Sequence, residues 1–236
     1  MSIAYLISVC LSTYWFFYLN GYFYSKIKYI CIRGEDIKMN TLDYYNKNSE
    51  EYFNSTLNVD MTNTYKAFLK LLPKGGKILD LGCGSGRDSM NFMKLGYEVI
   101  AVDGAKKLAK RASVLLGKEV IVSTFEELEL KEKFHGIWAC ASLLHIKRED
   151  LKIVLNNLYN NLEDNGVFYM SFKYGEKEYV DDKNRYFNCF TDESIISFIN
   201  ENTKYNILGL YITEDKLGRV NEVKWVNLIC NKKSVW

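Results

Sequence analysis

The chain has 236 residues, 48% of them hydrophobic, with 31 Lys and Arg against 29 Asp and Glu and a formal net charge of +2. That length suits one large α/β domain with an extension, and the apolar share excludes a disordered chain. A charge so near zero gives no global pull toward nucleic acid, and six cysteines without a Cys-x-x-Cys pair, beside two histidines, speak against structural zinc or a disulfide framework.

From Ile3 to Tyr24 the chain is uncharged, and at about 1.5 Å per residue such a helix reaches across a hydrocarbon layer of about 30 Å. Lys26, Lys28 and Arg33 follow, which would leave the remainder on the cytoplasmic side. Ser8, Ser12, Thr13, Asn20 and Gly21 interrupt the stretch, and no basic residue precedes it as in a cleaved signal peptide. Met39 stands just before Asn40-Thr-Leu-Asp-Tyr-Tyr45. Residues 1–38 therefore read in two ways, as a single-span membrane anchor or as a translation start set too far upstream. Residues 39–236, in which acidic and basic side chains balance, read as the folded domain.

Within that domain two helices are expected first, Asp43–Phe53 with a tyrosine-rich face of Tyr44, Tyr45 and Tyr52, and Met61–Leu72 ended by Pro73-Lys-Gly-Gly76. Lys77-Ile-Leu-Asp-Leu-Gly-Cys-Gly-Ser-Gly-Arg-Asp88 then reads as a buried strand, a glycine turn and a helix start. Asp80 stands where a strand built only for packing would carry an aliphatic residue. Gly82, Gly84 and Gly86 let backbone N–H groups approach a ligand, and the positive end of the following helix points to the same place. The turn lacks the Gly-Lys-Ser/Thr of a phosphate loop and the spacing of a dinucleotide fingerprint. A second strand, Tyr97–Asp103, ends on a carboxylate about 20 residues beyond the turn, the spacing of a ribose ligand. Asp103 also precedes Gly104 and a helical pattern over Ala105–Ala112, so a helix cap and a ribose contact are compatible roles. Glu119–Phe125 and Phe134–Cys140 read as third and fourth strands.

The glycine turn resembles the first cofactor motif of class I S-adenosylmethionine-dependent methyltransferases, with Asp80, Gly82, Gly84 and Gly86 matching position for position. Trp138-Ala-Cys-Ala-Ser-Leu-Leu-His145 is similar to the fourth motif of that family, so the resemblance covers residues 77–145. It implies S-adenosyl-L-methionine as cofactor. Asp80 would anchor the ammonium, Gly82, Cys83, Gly84, Gly86 and Arg87 the methionine side, and Asp103 with Gly104 the ribose. The Phe125 backbone would meet adenine, and Ala139 and Cys140, with Ala141 and Ser142, the sulfonium side; Tyr44, Tyr45 and Tyr52 would fold over the cofactor, with packing as the alternative role. His145 is the candidate general base, with a capping or packing histidine as the alternative. The sequence departs from the family in having His135 where Asp is usual, and Thr124 before Phe125. The Gly82–Ser89 segment is similar to thiopurine- and tellurite-resistance-type methyltransferases, and the fourth motif is not of the kind that methylates base amines. Both imply a small-molecule acceptor, and the cysteine usage fits a reduced, cytoplasmic compartment. A cofactor-binding sensor without turnover, and a membrane-tethered lipid or quinone methyltransferase using residues 3–24, are the alternatives.

Beyond the fourth strand, apolar positions at Leu151, Val154, Leu155, Leu158 and Leu162 predict a helix over Arg148–Asn161. Val167–Phe172 reads as a fifth strand, and Lys173–Asn188 as an irregular polar segment, either a lid or a plain surface loop. Thr191-Asp-Glu-Ser194 opens a helix whose buried face is read as Ile195, Ile196 and Ile199. Tyr205–Thr213 and Val223–Cys230 are the last two strands. The expected fold is α/β and Rossmann-like, a seven-stranded mostly parallel sheet with helices on both faces and a C-terminal antiparallel hairpin. The basic cluster Lys106, Lys107, Lys110 and Arg111 reads as the solvated face of a helix.

Overall fold

The computed structural model describes residues 35–216 and 223–232, and the fold set out below is that of the unit Ile37–Trp236. The uncharged stretch Ile3–Tyr24 lies outside the described residues. Among the described residues no helix is long and apolar enough to cross a membrane.

Among the described residues three helices precede the sheet: α1 (Glu35–Lys47), α2 (Ser49–Thr56) and α3 (Thr62–Leu69). Asn48 breaks the expected Asp43–Phe53 helix, its φ of −104° and ψ of 22° lying outside the helical well. Its side-chain amide donates to the Tyr44 carbonyl at 2.8 Å, a local bond that competes with the helical ladder. Then follow β1 (Lys77–Leu81), α4 (Arg87–Lys94), β2 (Glu98–Asp103), α5 (Lys106–Leu116), β3 (Ile121–Val122), β4 (Phe134–Ala139), α6 (Arg148–Asn160) and β5 (Leu162–Lys173). A small hairpin of β6 (Glu178–Val180) and β7 (Tyr186–Asn188), the helix α7 (Asp192–Asn202), and strands β8 (Tyr205–Glu214) and β9 (Lys224–Lys232) complete the domain.

Seven strands form one sheet in the order β3-β2-β1-β4-β5-β9-β8. The first five lie parallel, and β9 inserts antiparallel between β5 and β8, as the expected hairpin requires. Side chains alternate across both buried faces, as strands covered on each side must. Ile78, Trp138, Val167, Tyr169 and Ile229 face Tyr65, Phe68 and Leu72 near α3, with Phe92 of α4. Leu79, Ile137, Phe168, Met170 and Leu228 pack with Leu151, Val154 and Leu155 of α6 and Ile195 and Ile199 of α7. The start of β1 is held by His135, whose Nδ1 accepts the Lys77 backbone N–H at 3.0 Å; the imidazole thus does acceptor work where the resembling family has a carboxylate.

Three expectations need correction. The third strand is two residues long rather than Glu119–Phe125, because the chain beyond Val122 leaves the sheet edge and lines a cavity. Ile196 is 39% exposed, since α7 turns only Ile195 and Ile199 inward. The segment Lys173–Asn188 is not irregular, for it carries the β6–β7 hairpin. The predicted start of α7 holds: Thr191 and Ser194 form a reciprocal capping box.

Candidate active site

The strand order reverses between β2-β1 and β1-β4, and the carboxyl ends of β1, β2 and β4 open there onto a crevice, where ligands bind in open α/β sheets. The crevice holds two cavities. The first has about 700 Å³ of empty space, mouth included, with Gly82, Gly84, Asp103, Gly104 and Phe125 in its wall. The second has about 860 Å³ and reaches toward Arg87, Cys140, Tyr169, Lys173, Arg185 and Trp225. Four residues line both: Tyr45, Tyr52, Ala141 and His145.

The glycine turn is shaped by conformations that side chains resist. Gly82 has φ +79°, and a Cβ there would stand 2.4 Å from the Cβ of Ser142. Gly84, at φ +56°, lies under the Tyr52 ring. Asp103 ties the turn to the second strand, its Oδ2 accepting the Gly84 N–H at 2.8 Å and its Oδ1 the Ala105 N–H at 2.8 Å. Each oxygen keeps a further lone pair for a ligand hydroxyl. Burial pushes this carboxyl up to about 6, against the pull of the two backbone donors.

The site's other pole is Tyr45 and His145. His145 Nδ1 lies 2.7 Å from the Tyr186 carbonyl oxygen, which can only accept, so Nδ1 carries the proton. Nε2 is then the acceptor for the Tyr45 hydroxyl at 2.8 Å. Burial is the largest cause holding this imidazole down, to about 4, and Arg185 and Lys173 add to it. The ring is therefore neutral at ordinary pH. Between the cavities Ala141 sits at φ +51°, a strained conformation for a residue with a Cβ, with its N–H given to Ser171 Oγ at 2.8 Å.

Of the residues singled out from the sequence, Gly82, Gly84, Asp103, Gly104, Phe125, Tyr45 and His145 line the first cavity. Arg87 does not; its guanidinium is forked onto Asp88 at 2.6 and 2.9 Å and faces the second cavity with Cys140. Asp80 lies beneath the turn, 1% exposed, accepting from Ser89 Oγ at 2.5 Å, and burial together with Asp88 raises its carboxyl above the usual range. Cys83, Gly86 and Ala139 line neither cavity. Cys83 is 7% exposed and Ala139 is sealed in the core, while a Cβ on Gly86 would press on Ala112 of α5 at 3.2 Å. Burial raises the Cys140 thiol to about 12, which keeps it protonated. Sequence reasoning missed Thr41, Leu42, Ser123 and Ile146 in the first cavity. They carry no reactive group, and only the fold brings them to the rim.

The first cavity fits S-adenosylmethionine. It offers backbone N–H groups without Cβ atoms, a buried carboxylate awaiting hydroxyl donors, and apolar walls at Leu108, Phe125 and Ile146 for a flat base. Residues 78–166 match the protein family described as a methyltransferase domain. That match runs from β1 into β5, and the sheet order and glycine turn around it are similar to those of class I S-adenosylmethionine-dependent methyltransferase domains.

Among relatives, the ubiquinone biosynthesis O-methyltransferase of Rickettsia typhi is 26% identical over 150 residues, covering 61% of this chain and 49% of that protein. The carboxy-S-adenosyl-L-methionine synthase of Campylobacter concisus is 29% identical over 115 residues, covering 46% of this chain and 49% of its own. The chain thus spans about half the length of these curated relatives. In fold it is similar to Burkholderia thailandensis 1,6-didemethyltoxoflavin-N1-methyltransferase, solved with 1,6-didemethyltoxoflavin and S-adenosylhomocysteine. There the TM-score is 0.69 and the identity 16%, over 84% of this chain and 88% of that one. TehB of Haemophilus influenzae gives a TM-score of 0.61 at 17% identity, over 78% and 67% of the two chains.

Proposed function

We propose that this domain transfers the methyl group of S-adenosylmethionine to a small-molecule acceptor, with the cofactor in the first cavity and the acceptor in the second. The observation that carries the reading is the shared wall of Tyr45, Tyr52, Ala141 and His145, where the two cavities meet. When bound, the cofactor supplies an electrophilic methyl on sulfur, so the protein's contribution is to align the acceptor and exclude water. Asp103 accepts from the ribose hydroxyls, the N–H groups of the glycine turn face the methionine end, and Phe125 and Glu126 frame the base. Tyr45, Tyr52 and Ala141 close the junction. A proton leaving the acceptor reaches His145 Nε2 through the Tyr45 hydroxyl, because that hydroxyl already occupies the Nε2 lone pair. A cytoplasmic setting is part of the reading, supported by the free thiols of Cys83, Cys140, Cys189 and Cys230.

Calorimetric titration with S-adenosylmethionine and with S-adenosylhomocysteine tests the first half of this reading. Micromolar affinity for both is expected, followed by conversion of the first into the second when small acids, phenols, thiols and amines are offered. A folded protein that binds neither compound would remove the reading. Asp103→Ala is expected to weaken binding by about 1.5–3 kcal/mol, the loss of charge-assisted hydrogen bonds to a sugar.

The same carboxyl sets a pH dependence. The hydroxyls need the ionised form, so affinity for S-adenosylhomocysteine should fall as pH drops below about 6. For the free fold the sign is opposite. A carboxyl raised in the folded state contributes stability that is complete below its ordinary value and is lost as pH rises through about 6. Calorimetry between pH 5 and 8 checks the first effect, and a wild-type affinity that is flat across that range would contradict it.

A further inference from the structure

The two edges of the sheet differ. β3 is two residues long, whereas β8 runs for ten, from Tyr205 to Glu214. Its inner side pairs with β9, and among the described residues no strand pairs with its outer side. Every second residue of an antiparallel strand turns its N–H and C=O away from the neighbour, so this edge offers about 30 Å of unpaired main-chain groups. Edges that stay single are ordinarily blunted by lysine, proline, an inward-pointing charge or a bulge. Between Tyr205 and Thr213 the strand has no charged residue and no proline. A bulge does occur, at Leu208, but beyond it Gly209 to Glu214 pair with β9 without a break, so that arm stays regular. Apolar side chains stand outside along it, Leu208 at 47% exposure and Ile212 at 41%.

The charges stand at the two ends. Lys204 precedes the strand and Glu214 closes it; both are exposed, and neither side chain has a hydrogen-bond or ion-pair partner among the described residues. Two copies set edge to edge in parallel would bring lysine to lysine and glutamate to glutamate. Set antiparallel over their full length, they bring the Lys204 end of each strand to the Glu214 end of the other. Opposite charges across a strand pair stabilise it and like charges destabilise it. The edge is therefore complementary to itself about a two-fold axis, as a patch that meets its own copy must be. We propose that β8 is a self-association edge, on which a second copy of this chain adds its own β8 antiparallel and joins the two sheets into one. Main-chain hydrogen bonds supply the contact, Leu208 and Ile212 its apolar part, and the Lys204 and Glu214 ends its direction. Glu214 also belongs to the wall of the second cavity, so the joint forms beside the proposed acceptor site, yet the pairing needs no bound cofactor.

The test is sedimentation velocity of the full chain across the micromolar range at low salt, where a dimer is expected. Lys204→Glu and Glu214→Lys should each raise the dimer dissociation constant at least about ten-fold, since each puts two like-charged pairs in place of two opposite ones. The double reversal, Lys204→Glu with Glu214→Lys, should return it to within about three-fold of wild type. Ile212→Lys sets a charge into the edge at an exposed position, and should give a monomer with the circular dichroism of the wild type. A wild-type chain that stays monomeric, leaving the edge to solvent or to a strand of another protein, overturns the inference. So does a dimer indifferent to the single reversals, which marks association through another surface, or one that the double reversal fails to restore.

Discussion

Gly82→Ala is expected to abolish S-adenosylhomocysteine binding and to destabilise the fold by about 2–5 kcal/mol, the sum of left-handed backbone strain and overpacking. The backbone at Gly82 has φ +79°, where an L side chain meets its own carbonyl. Its added methyl would lie 2.4 Å from the Ser142 Cβ, far inside contact distance, and a tight 3.3 Å from Phe125 Cζ. Neither neighbour yields cheaply. Ser142 is fixed by a 2.6 Å hydrogen bond to the Leu81 carbonyl, and it and Phe125 are both walls of the first cavity. Relaxation therefore moves Ser142 into the space the cofactor needs, or lifts the turn away from Asp103. Gly96→Ala separates the two causes, because Gly96 has φ +87° with no atom within 4 Å of the added carbon. That variant should lose only about 1–2 kcal/mol and keep its affinity. Urea denaturation and calorimetry on both variants decide the matter; a Gly82 variant that binds as the wild type does would sink the assignment of this turn.

That prediction begins from a stretch legible in the sequence. Three glycines at alternate positions after an apolar strand have few uses, and an acidic residue at the next strand end repeats the pattern of a ribose site. Asp103, Gly82 and Gly84 accordingly stand together in the first cavity. The helices and strands were readable because both faces of the sheet are covered, so apolar runs mark strands and 3.6-residue periods mark the covering helices. Arg87 was not readable, for its direction is set by Asp88 one residue away, which the Trp138 indole from β4 holds in turn. The Tyr45–His145 bond spans 100 positions and leaves no local trace. Nor does the hairpin over 178–188, whose strands are three residues long and gain their fixity from contacts such as the Tyr186 N–H to Thr41 at 3.1 Å. Residues that make a site by covering it are chosen for shape, and shape is not written in spacing.

Asp88→Ala is expected to cost about 3–5 kcal/mol, as large an effect as any substitution away from the ligand. Asp88 is 5% exposed and accepts from three side chains that belong to three elements. Tyr65 of α3 donates to Oδ1 at 2.5 Å and the Trp138 indole N–H of β4 to Oδ2 at 2.8 Å, while Arg87 of α4 supplies the fork. Burial alone would raise this carboxyl, but Arg87, with Tyr65 and Trp138, holds it below the usual carboxylate range. Its contribution to stability is therefore present above that range and is lost as pH falls through it. Truncation leaves a half-buried guanidinium without its counter-charge and two buried donors without an acceptor. Tyr65→Phe removes one donor alone and should cost about 1.5–3 kcal/mol at most. The consequence extends to function. Trp138 stacks on Tyr169 with centroids 3.9 Å apart, and Tyr169 is part of the wall of the second cavity. An Asp88→Ala protein should therefore unfold at lower urea and, where still folded, bind flat probes in the second cavity less tightly while S-adenosylhomocysteine affinity changes less. Denaturation of Asp88→Ala within about 1 kcal/mol of wild type would show that water replaces the carboxylate at no great cost and that the network does not hold this wall.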